Sequence, residues 1–397
     1  MRAGIDRRGM ATLSGGHLAA DFASGSVPAL IPFLTDKFDL SYALAALLLL
    51  AATISSSLVQ PLFGLWSDRR GALWLIPGGV LLAAVGVAGA AVSPAYPLTL
   101  LLVLAGGLGV AAFHPEGAKH AAFASGRKRA AGMSYFNIGG NTGYALGAFV
   151  TGQVVVWLGL AGGIAAMVPV LLAGLWLARE APHIAGLEEQ AGHGAPGGRD
   201  DRAAMARLGA VIALRSVSWF TLLAFVPLWE VAHGHSKATG NRLLFVMLLS
   251  GAVGTLLLGA VADRIGLRRT LTLTQAAIAP AILLFVFTGG VPAAIGLILV
   301  GVCTVGSFGV TMVLSQLYLP RHVGMASGLS VGLAMGIGGT AAVVLGAVAD
   351  AVDLKTALTA CAVAPALGVF FCFRLPAPEP AARAAVEPTP QTVSSPT

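Results

Sequence analysis

Residues 259–269 read G-A-V-A-D-R-I-G-L-R-R, and residues 64–71 read G-L-W-S-D-R-R-G. Each stretch follows a long apolar run, and the two aspartates that they contain are 195 residues apart. A second motif, Ile-Gly-Gly, begins at Ile138 and again at Ile337, which is 199 residues later. Two motifs repeated at nearly the same offset indicate that the chain consists of two related halves.

The chain around these motifs is strongly apolar. Hydrophobic residues make up 56% of it, charged residues make up 10%, and the mean hydropathy is +0.84. In a soluble domain about a quarter of the residues are charged. Apolar runs of about 20 residues, the length that crosses a bilayer core of roughly 30 Å, recur along the sequence. They predict an all-α polytopic membrane protein with helices near residues 15–36, 43–66, 72–92, 97–119, 131–156, 159–178, 207–230, 241–262, 269–288, 292–318, 324–349 and 355–374.

The distribution of lysine and arginine predicts an orientation for these helices. If both termini are cytoplasmic, 19 of the 24 basic residues lie in inner segments, four lie in outer loops, and Arg215 falls within a helix. The positive-inside rule predicts such an excess for an even number of helices. Because the basic residues are spread over many loop ends, the net charge of +7 does not indicate nucleic-acid binding.

The apolar pattern breaks once in the middle of the chain. Residues 181–206 are rich in Gly, Ala, Pro and charge, which is typical of a flexible linker. We therefore expect five parts: a cytoplasmic N-terminus at 1–14, a six-helix bundle at 15–180, a cytoplasmic linker at 181–206, a second bundle at 207–375 and a disordered cytoplasmic tail at 376–397.

The sequence favours no enzyme or cofactor chemistry. Cys303, Cys361 and Cys372 all lie within apolar runs, which excludes a disulfide framework. We find no phosphate-binding loop, no zinc-ligand spacing and no nucleophile elbow. We therefore expect no cofactor, no bound metal and no enzymatic activity, and ATP is not the expected energy source.

The pattern G-x-x-x-D-R-x-G between helices two and three, and again between helices eight and nine, resembles the signature loop of the major facilitator superfamily. More specifically, the chain resembles the fosmidomycin-resistance-type transporters of bacterial inner membranes. That resemblance rests on four motifs: His17-x-x-x-Asp21, F-H-P-E at 113–116, G-G-N-x-G-x-A-L-G at 139–147 and P-R-x-V-G-M-A-S-G-L at 320–329.

This resemblance implies twelve transmembrane helices in two pseudo-symmetric six-helix bundles that rock to give alternating access. It implies a monomer in the bacterial inner membrane that exports small molecules such as antibiotics in exchange for protons. Two alternatives stay open: a proton-coupled symporter that imports a small anionic metabolite, and a membrane sensor that does not transport.

Four residues are candidates for proton coupling. Of the 17 acidic residues, Asp21 and Glu116 stand within predicted helices, where a charge costs roughly 2.5 kcal/mol or more. His17 shares a helical face with Asp21, and His114 lies beside Glu116. We expect these four to cluster one to two turns above the cytoplasmic helix ends, where carboxylates and histidines can exchange protons near neutral pH. The alternative is a cluster that only fixes helix packing.

Three further residues are candidates for substrate contacts. Arg215 lies about two turns into the predicted seventh helix, and its guanidinium suits a carboxylate or phosphate. It could equally extend to the cytoplasmic surface. Asn141 and Gln316 are neutral polar residues in the middle of predicted helices, where they can contact a substrate.

The signature loops are candidates for a gate. Asp68 and Arg69 in the first half, and Asp263, Arg264 and Arg268 in the second, can pair across helix ends. The family resemblance implies that such loops latch the inward gate, and the alternative is a turn without further role. Small-residue faces are expected to pack closely on helices five and eleven; they are formed by Gly139, Gly143 and Gly147, and by Gly328, Gly332 and Gly336.

Overall fold

The computed structural model describes residues 4–70, 72–126, 129–188, 199–321 and 323–377. In that part of the chain every regular element is helical. The α-helices are Arg7–Phe38 (α1), Tyr42–Arg70 (α2), Leu75–Val92 (α3), Tyr96–Ala124 (α4), Arg129–Leu158 (α5), Gly162–Glu188 (α6), Arg202–Ala232 (α7), Lys237–Ile265 (α8), Leu267–Phe287 (α9), Gly290–Gly306 (α10), Phe308–Tyr318 (α11), Val323–Ala351 (α12), Leu354–Cys361 (α13) and Val363–Phe373 (α14).

These helices form twelve segments, and most of them are long and apolar enough to cross a membrane. Ten stretches of the described residues are long and apolar enough, and one of them, Tyr135–Leu187, covers both α5 and α6. The shorter apolar helix Tyr42–Ile54 belongs to α2. Because α10 with α11 and α13 with α14 each form one segment, each half has six. The predicted all-α, two-bundle fold is therefore confirmed.

Two of the predicted helices are broken in the middle. The twelfth segment breaks at Ala362, because Pro365 lacks the N–H that would bond to the Cys361 carbonyl. The Ser218 hydroxyl of α7 donates to that carbonyl instead, at 2.7 Å. The tenth segment breaks at Ser307, whose hydroxyl donates to the Cys303 carbonyl at 2.6 Å. At each break a side chain of α7 makes a hydrogen bond, because Ser218 donates to the Cys361 carbonyl and Arg215 donates to the Ser307 hydroxyl.

Helix ends differ from the predicted boundaries where acidic side chains cap them. The first helix begins at Arg7 rather than near the predicted residue 15, because the Asp6 carboxylate accepts a hydrogen bond from the Gly9 N–H and caps it. Likewise Asp201 caps α7 by accepting from the Ala204 N–H at 2.8 Å. On the other side of the linker, α6 extends to residue 188. The linker residues 189–198 and the tail residues 378–397 lie outside the described part.

The small-residue face of α5 packs closely against α1. A Cβ added at Gly143 would lie 2.1 Å from the Leu18 carbonyl oxygen, and one at Gly147 would lie 2.1 Å from that of Phe22. The close approach predicted for this helix is confirmed. The same prediction for α12 was wrong at Gly332 and Gly336, where a Cβ meets nothing within 4 Å, and the third glycine, Gly328, lies outside the described side chains.

The two halves contact each other at the helix ends remote from the termini, which we call the far side. There the Asp350 carboxylate of α12 accepts bonds from the backbone N–H groups of Tyr42, at 2.6 Å, and Ala43, at 3.0 Å. Asp350 thus caps α2 across the two halves. Nearby, Lys237 of α8 pairs with Asp36 of α1. The far side is closed.

The opposite face, where α1 and α7 begin, is the termini side. Here α12 and α7 border a cavity of about 500 Å³ that Leu329, Leu333 and Ile337 line. Leu329 and Ile337 are 42% and 41% exposed, so the cavity is open at these side chains. The structure therefore combines a closed far side with a cavity on the termini side.

We expect the Asp350→Ala substitution to open the far side. Loss of a helix cap costs about 0.5–2 kcal/mol, which shifts a two-state population by about 2- to 30-fold. Distances between spin labels at Ser41 and Val352 would report the change. The matched control is Asp353→Ala, because Asp353 caps α13 within its own half by accepting from the Thr356 N–H. An equal effect of both substitutions would contradict the proposed role of Asp350.

Candidate functional site

Three titratable side chains meet inside the first bundle. The Asp21 carboxylate lies between two histidines, with Oδ2 3.3 Å from His17 Nε2 and Oδ1 3.3 Å from His114 Nε2. His17 and Asp21 are one turn apart on α1, and His114 comes from α4. We call this group the triad.

The triad lies deeper than the sequence predicted. Asp21 is 14 residues from the start of α1 at Arg7, which corresponds to about 21 Å of helix. The prediction of one to two turns was wrong because it placed the helix start at residue 15. The side chains of Asp21 and His114 are 18% and 24% exposed, so water can reach the triad.

Backbone contacts determine which imidazole nitrogens carry hydrogen. His17 Nδ1 lies 2.8 Å from the Phe136 carbonyl oxygen, and His114 Nδ1 lies 2.8 Å from that of Val110. A carbonyl oxygen only accepts hydrogen bonds, so both Nδ1 atoms must donate. In a neutral imidazole each Nε2 is then an acceptor, like the Asp21 oxygens that it faces.

This arrangement has a consequence for the proton count of the triad. Two acceptors 3.3 Å apart repel each other unless a hydrogen lies between them. A fully deprotonated Asp21 with two neutral histidines therefore satisfies neither contact. One added proton satisfies one contact, and a second satisfies both. The three atoms that could act as metal ligands, one from each residue of the triad, also lie within 4.8 Å of one another. A small metal cation could be bound at this spacing.

A glycine of α5 provides the space for the triad. A Cβ added at Gly140 would lie 2.4 Å from His17 Nε2 and 2.7 Å from Asp21 Oδ2. The Phe136 ring stacks on the His17 ring with 4.1 Å between centroids. Gly140 belongs to the Ile-Gly-Gly repeat and to the motif at 139–147, but its role beside the triad was not predicted.

The structure separates Glu116 from the other three proton-coupling candidates. His114 and Glu116 are two residues apart on α4, which places them about 200° apart around the helix. Glu116 is 1% exposed, and its carboxylate lies 3.5 Å from Nδ1 of His120. The predicted four-residue cluster is therefore three residues together and a separate Glu116–His120 pair.

Arg215 lies in the second bundle at the break between α10 and α11. It is 3% exposed, and its guanidinium donates to the Ser307 hydroxyl at 2.6 Å and to the Thr311 hydroxyl at 3.4 Å. It does not extend to the surface, because it lies 13 residues after the start of α7 at Arg202. Among the described residues no carboxylate pairs with it, so part of its five-donor fork is available.

The remaining candidates are not brought to the triad by the described contacts. Asn141 follows Gly140 on α5, and Gln316 lies on α11 in the other half; both are half-buried. In the second signature loop Asp263 and Arg264 are exposed, and within the described part of the chain no ion pair joins them. Arg268 is the second residue of α9 and is half-buried. The gating prediction for Asp68 and Arg69 lies outside the described side chains.

The sequence did not indicate the residues that make the far-side contacts, which are Asp36, Lys237 and Asp350. Each stands at the end of an apolar run, where an ordinary loop residue gives the same sequence signal.

Twelve apolar segments in two related halves, with a charged cluster inside one half, define a multi-pass membrane transporter. The chain belongs to the Major Facilitator Superfamily, whose family model matches residues 13–342 and 208–396.

Curated relatives match over most of their length. The chain is 32% identical over 373 residues to an uncharacterized MFS-type transporter, YfnC, of Bacillus subtilis (strain 168), covering 91% of this chain and 90% of YfnC. It is 27% identical over 377 residues to the fosmidomycin resistance protein of Escherichia coli (strain K12), covering 92% of each. The fold is similar to that of a bacterial homolog of the human lysosomal transporter Spinster in an inward-facing conformation, with a TM-score of 0.75, 14% identity, and coverage of 97% and 98%.

Proposed function

We propose that this transporter is a proton-coupled secondary active transporter of a bacterial inner membrane, with both termini in the cytoplasm. It exports a small anionic molecule by exchanging it for protons. The observation that carries the proposal is the triad, because its two 3.3 Å contacts require at least one proton that a fully deprotonated triad lacks.

The triad can convert protonation into a change of helix packing. With the proton bound, Asp21 links α1 to His114 of α4. Without it, like acceptors face each other and the link between α1 and α4 is weakened. A ligand shifts a conformational equilibrium when it favours one state over the other, and here the proton is that ligand. Because α1 also contacts α7 of the second half, this change in the packing of α1 can couple the rocking of the two halves to proton uptake.

The direction of transport and the substrate class have separate support. One relative, at 27% identity, is named a fosmidomycin resistance protein, which supports export. Arg215 supports an anionic substrate, since a buried guanidinium with spare donors and no paired carboxylate among the described residues favours an anion. Symport uses the same triad, so the direction must be measured.

The test uses proteoliposomes with an imposed pH gradient and a pH dye trapped in the lumen. Phosphonates such as fosmidomycin are added one at a time. Protons that leave an acidic lumen as substrate enters establish antiport, and protons that move with the substrate establish symport. If a folded preparation transports phosphonate without proton movement, the proposed coupling is wrong.

The Arg215→Gln substitution should weaken the binding of an anionic substrate. A hydrogen bond to a charged group contributes about 1.5–3 kcal/mol, so we expect the substrate KM to rise about 10- to 150-fold. The maximal rate should change less. Arg242→Gln is the control, since Arg242 is exposed on α8 and bonds within its own turn. An unchanged KM in Arg215→Gln would contradict the proposed role of Arg215 in binding the anionic substrate.

A further inference from the structure

We propose that an anionic phospholipid binds with its phosphate headgroup in a basic pocket between α9 and α14. The pocket has a volume of about 590 Å³, and its lining includes Arg268, Arg269, Thr272, Leu273 and Phe373. It lies in the second half of the chain, whereas the triad lies in the first. The proposal stands independently of proton coupling.

The polar part of the pocket is suited to an anion. Two arginines line it, and no acidic residue is among its described lining. The Nε atom of Arg268 is buried and has no hydrogen-bond partner in the described part of the chain. A buried donor without a partner costs about 1–3 kcal/mol, and a phosphate oxygen in this pocket would satisfy it.

The start of α9 adds to this preference for an anion. Gly266 precedes the helix with a positive φ of 90°, a backbone conformation that favours glycine, and no side chain caps the first turn. The first backbone N–H groups of a helix have no partner within it, and they attract negative charge. These N–H groups lie in the first turn of α9, which also contains Arg268 and Arg269.

The apolar part of the pocket distinguishes a lipid from a free phosphate ion. Leu273 and Phe373 are 62% and 71% exposed, and both line the pocket together with the arginines. A free phosphate ion buries no apolar surface on such side chains, whereas the acyl chains of a lipid would cover them and remove that surface from water. Both helix ends lie on the termini side, which the proposed orientation places at the cytoplasmic leaflet. Basic pockets between transmembrane helices on that side suit anionic headgroups.

The test is native mass spectrometry of the full-length protein in detergent, titrated with phosphatidylglycerol or with phosphatidylcholine of the same chains. We expect phosphatidylglycerol to bind more tightly. Each arginine near an anionic lipid contributes about fivefold, so the Arg268→Gln/Arg269→Gln variant should bind phosphatidylglycerol about 25-fold more weakly. Arg268→Lys/Arg269→Lys keeps the charge and should retain most of the binding.

The matched control removes two exposed basic residues from the same side of the protein, Arg207→Gln/Arg264→Gln. It should leave phosphatidylglycerol binding within about twofold of the unmodified protein, because neither residue lines the pocket. Equal binding of the two lipids, or equal loss in the control and the pocket variant, would overturn the proposal. Displacement of the lipid by millimolar inorganic phosphate would also overturn it and indicate a free-anion site.

Discussion

The Asp21→Asn substitution is expected to abolish transport against a gradient while leaving exchange intact. If one proton is exchanged for each substrate, a gradient of two pH units sustains about a 100-fold substrate gradient, since each pH unit corresponds to about 1.4 kcal/mol. In Asp21→Asn this ratio should fall to about 1. Accumulation in proteoliposomes with an imposed pH gradient measures it.

The reason lies in the donors and acceptors of the triad. An asparagine amide has two N–H donors and one carbonyl acceptor. Its N–H group can satisfy Nε2 of His17 or His114 without any added proton. The contact between α1 and α4 then persists at every pH, so it no longer depends on the binding of a proton. Because the amide is nearly the same size as the carboxylate, the helix packing should be preserved.

Two further measurements separate lost coupling from lost folding. Substrate counterflow, which needs no proton gradient, should continue in Asp21→Asn. Glu230→Gln is the matched control, because Glu230 also pairs with a histidine, with Oε2 2.7 Å from Nδ1 of His235. It lies at the end of α7 outside the triad and should keep the 100-fold ratio. Full pH-driven accumulation by Asp21→Asn would mean that the proton is carried elsewhere.

Much of the fold could be predicted because bilayer crossing imposes a simple requirement on the sequence. An apolar run of about 20 residues has few other uses, so the twelve segments were recognisable. The breaks in the tenth and twelfth segments were harder to recognise from the sequence. Pro365 alone does not predict a break, since prolines are tolerated in transmembrane helices when a neighbour satisfies the freed carbonyl. That neighbour, Ser218, is 143 residues away from Cys361.

The site could be predicted only where its members share one helix. His17 and Asp21 are four apart, and that spacing alone places them together. The sequence could not show which of His114 and Glu116 on α4 lies beside Asp21, because the rotation of α4 relative to α1 is set by packing. The far-side contact of Asp350 with the first turn of α2 depends likewise on how the two halves meet.

The Gly143→Ala substitution is expected to cause the largest loss of stability. The added methyl would lie 2.1 Å from the Leu18 carbonyl oxygen, and that oxygen belongs to backbone that cannot rotate away. The backbones of α1 and α5 must therefore move apart at this position. Overpacking of a core costs about 1–3 kcal/mol, and we expect the upper end of this range or more. Thermal unfolding of the purified protein in detergent measures the change.

A glycine-to-alanine change at Gly332 is the control for Gly143→Ala. A methyl at Gly332 meets nothing within 4 Å, while alanine favours the helix by about 0.5–1 kcal/mol over glycine. We therefore expect Gly332→Ala to raise the melting temperature slightly and Gly143→Ala to lower it by several degrees. Because both residues lie inside long helices, propensity affects them alike, and the difference between the two variants isolates the α1–α5 contact. Equal melting temperatures would show that α1 and α5 can separate at little cost.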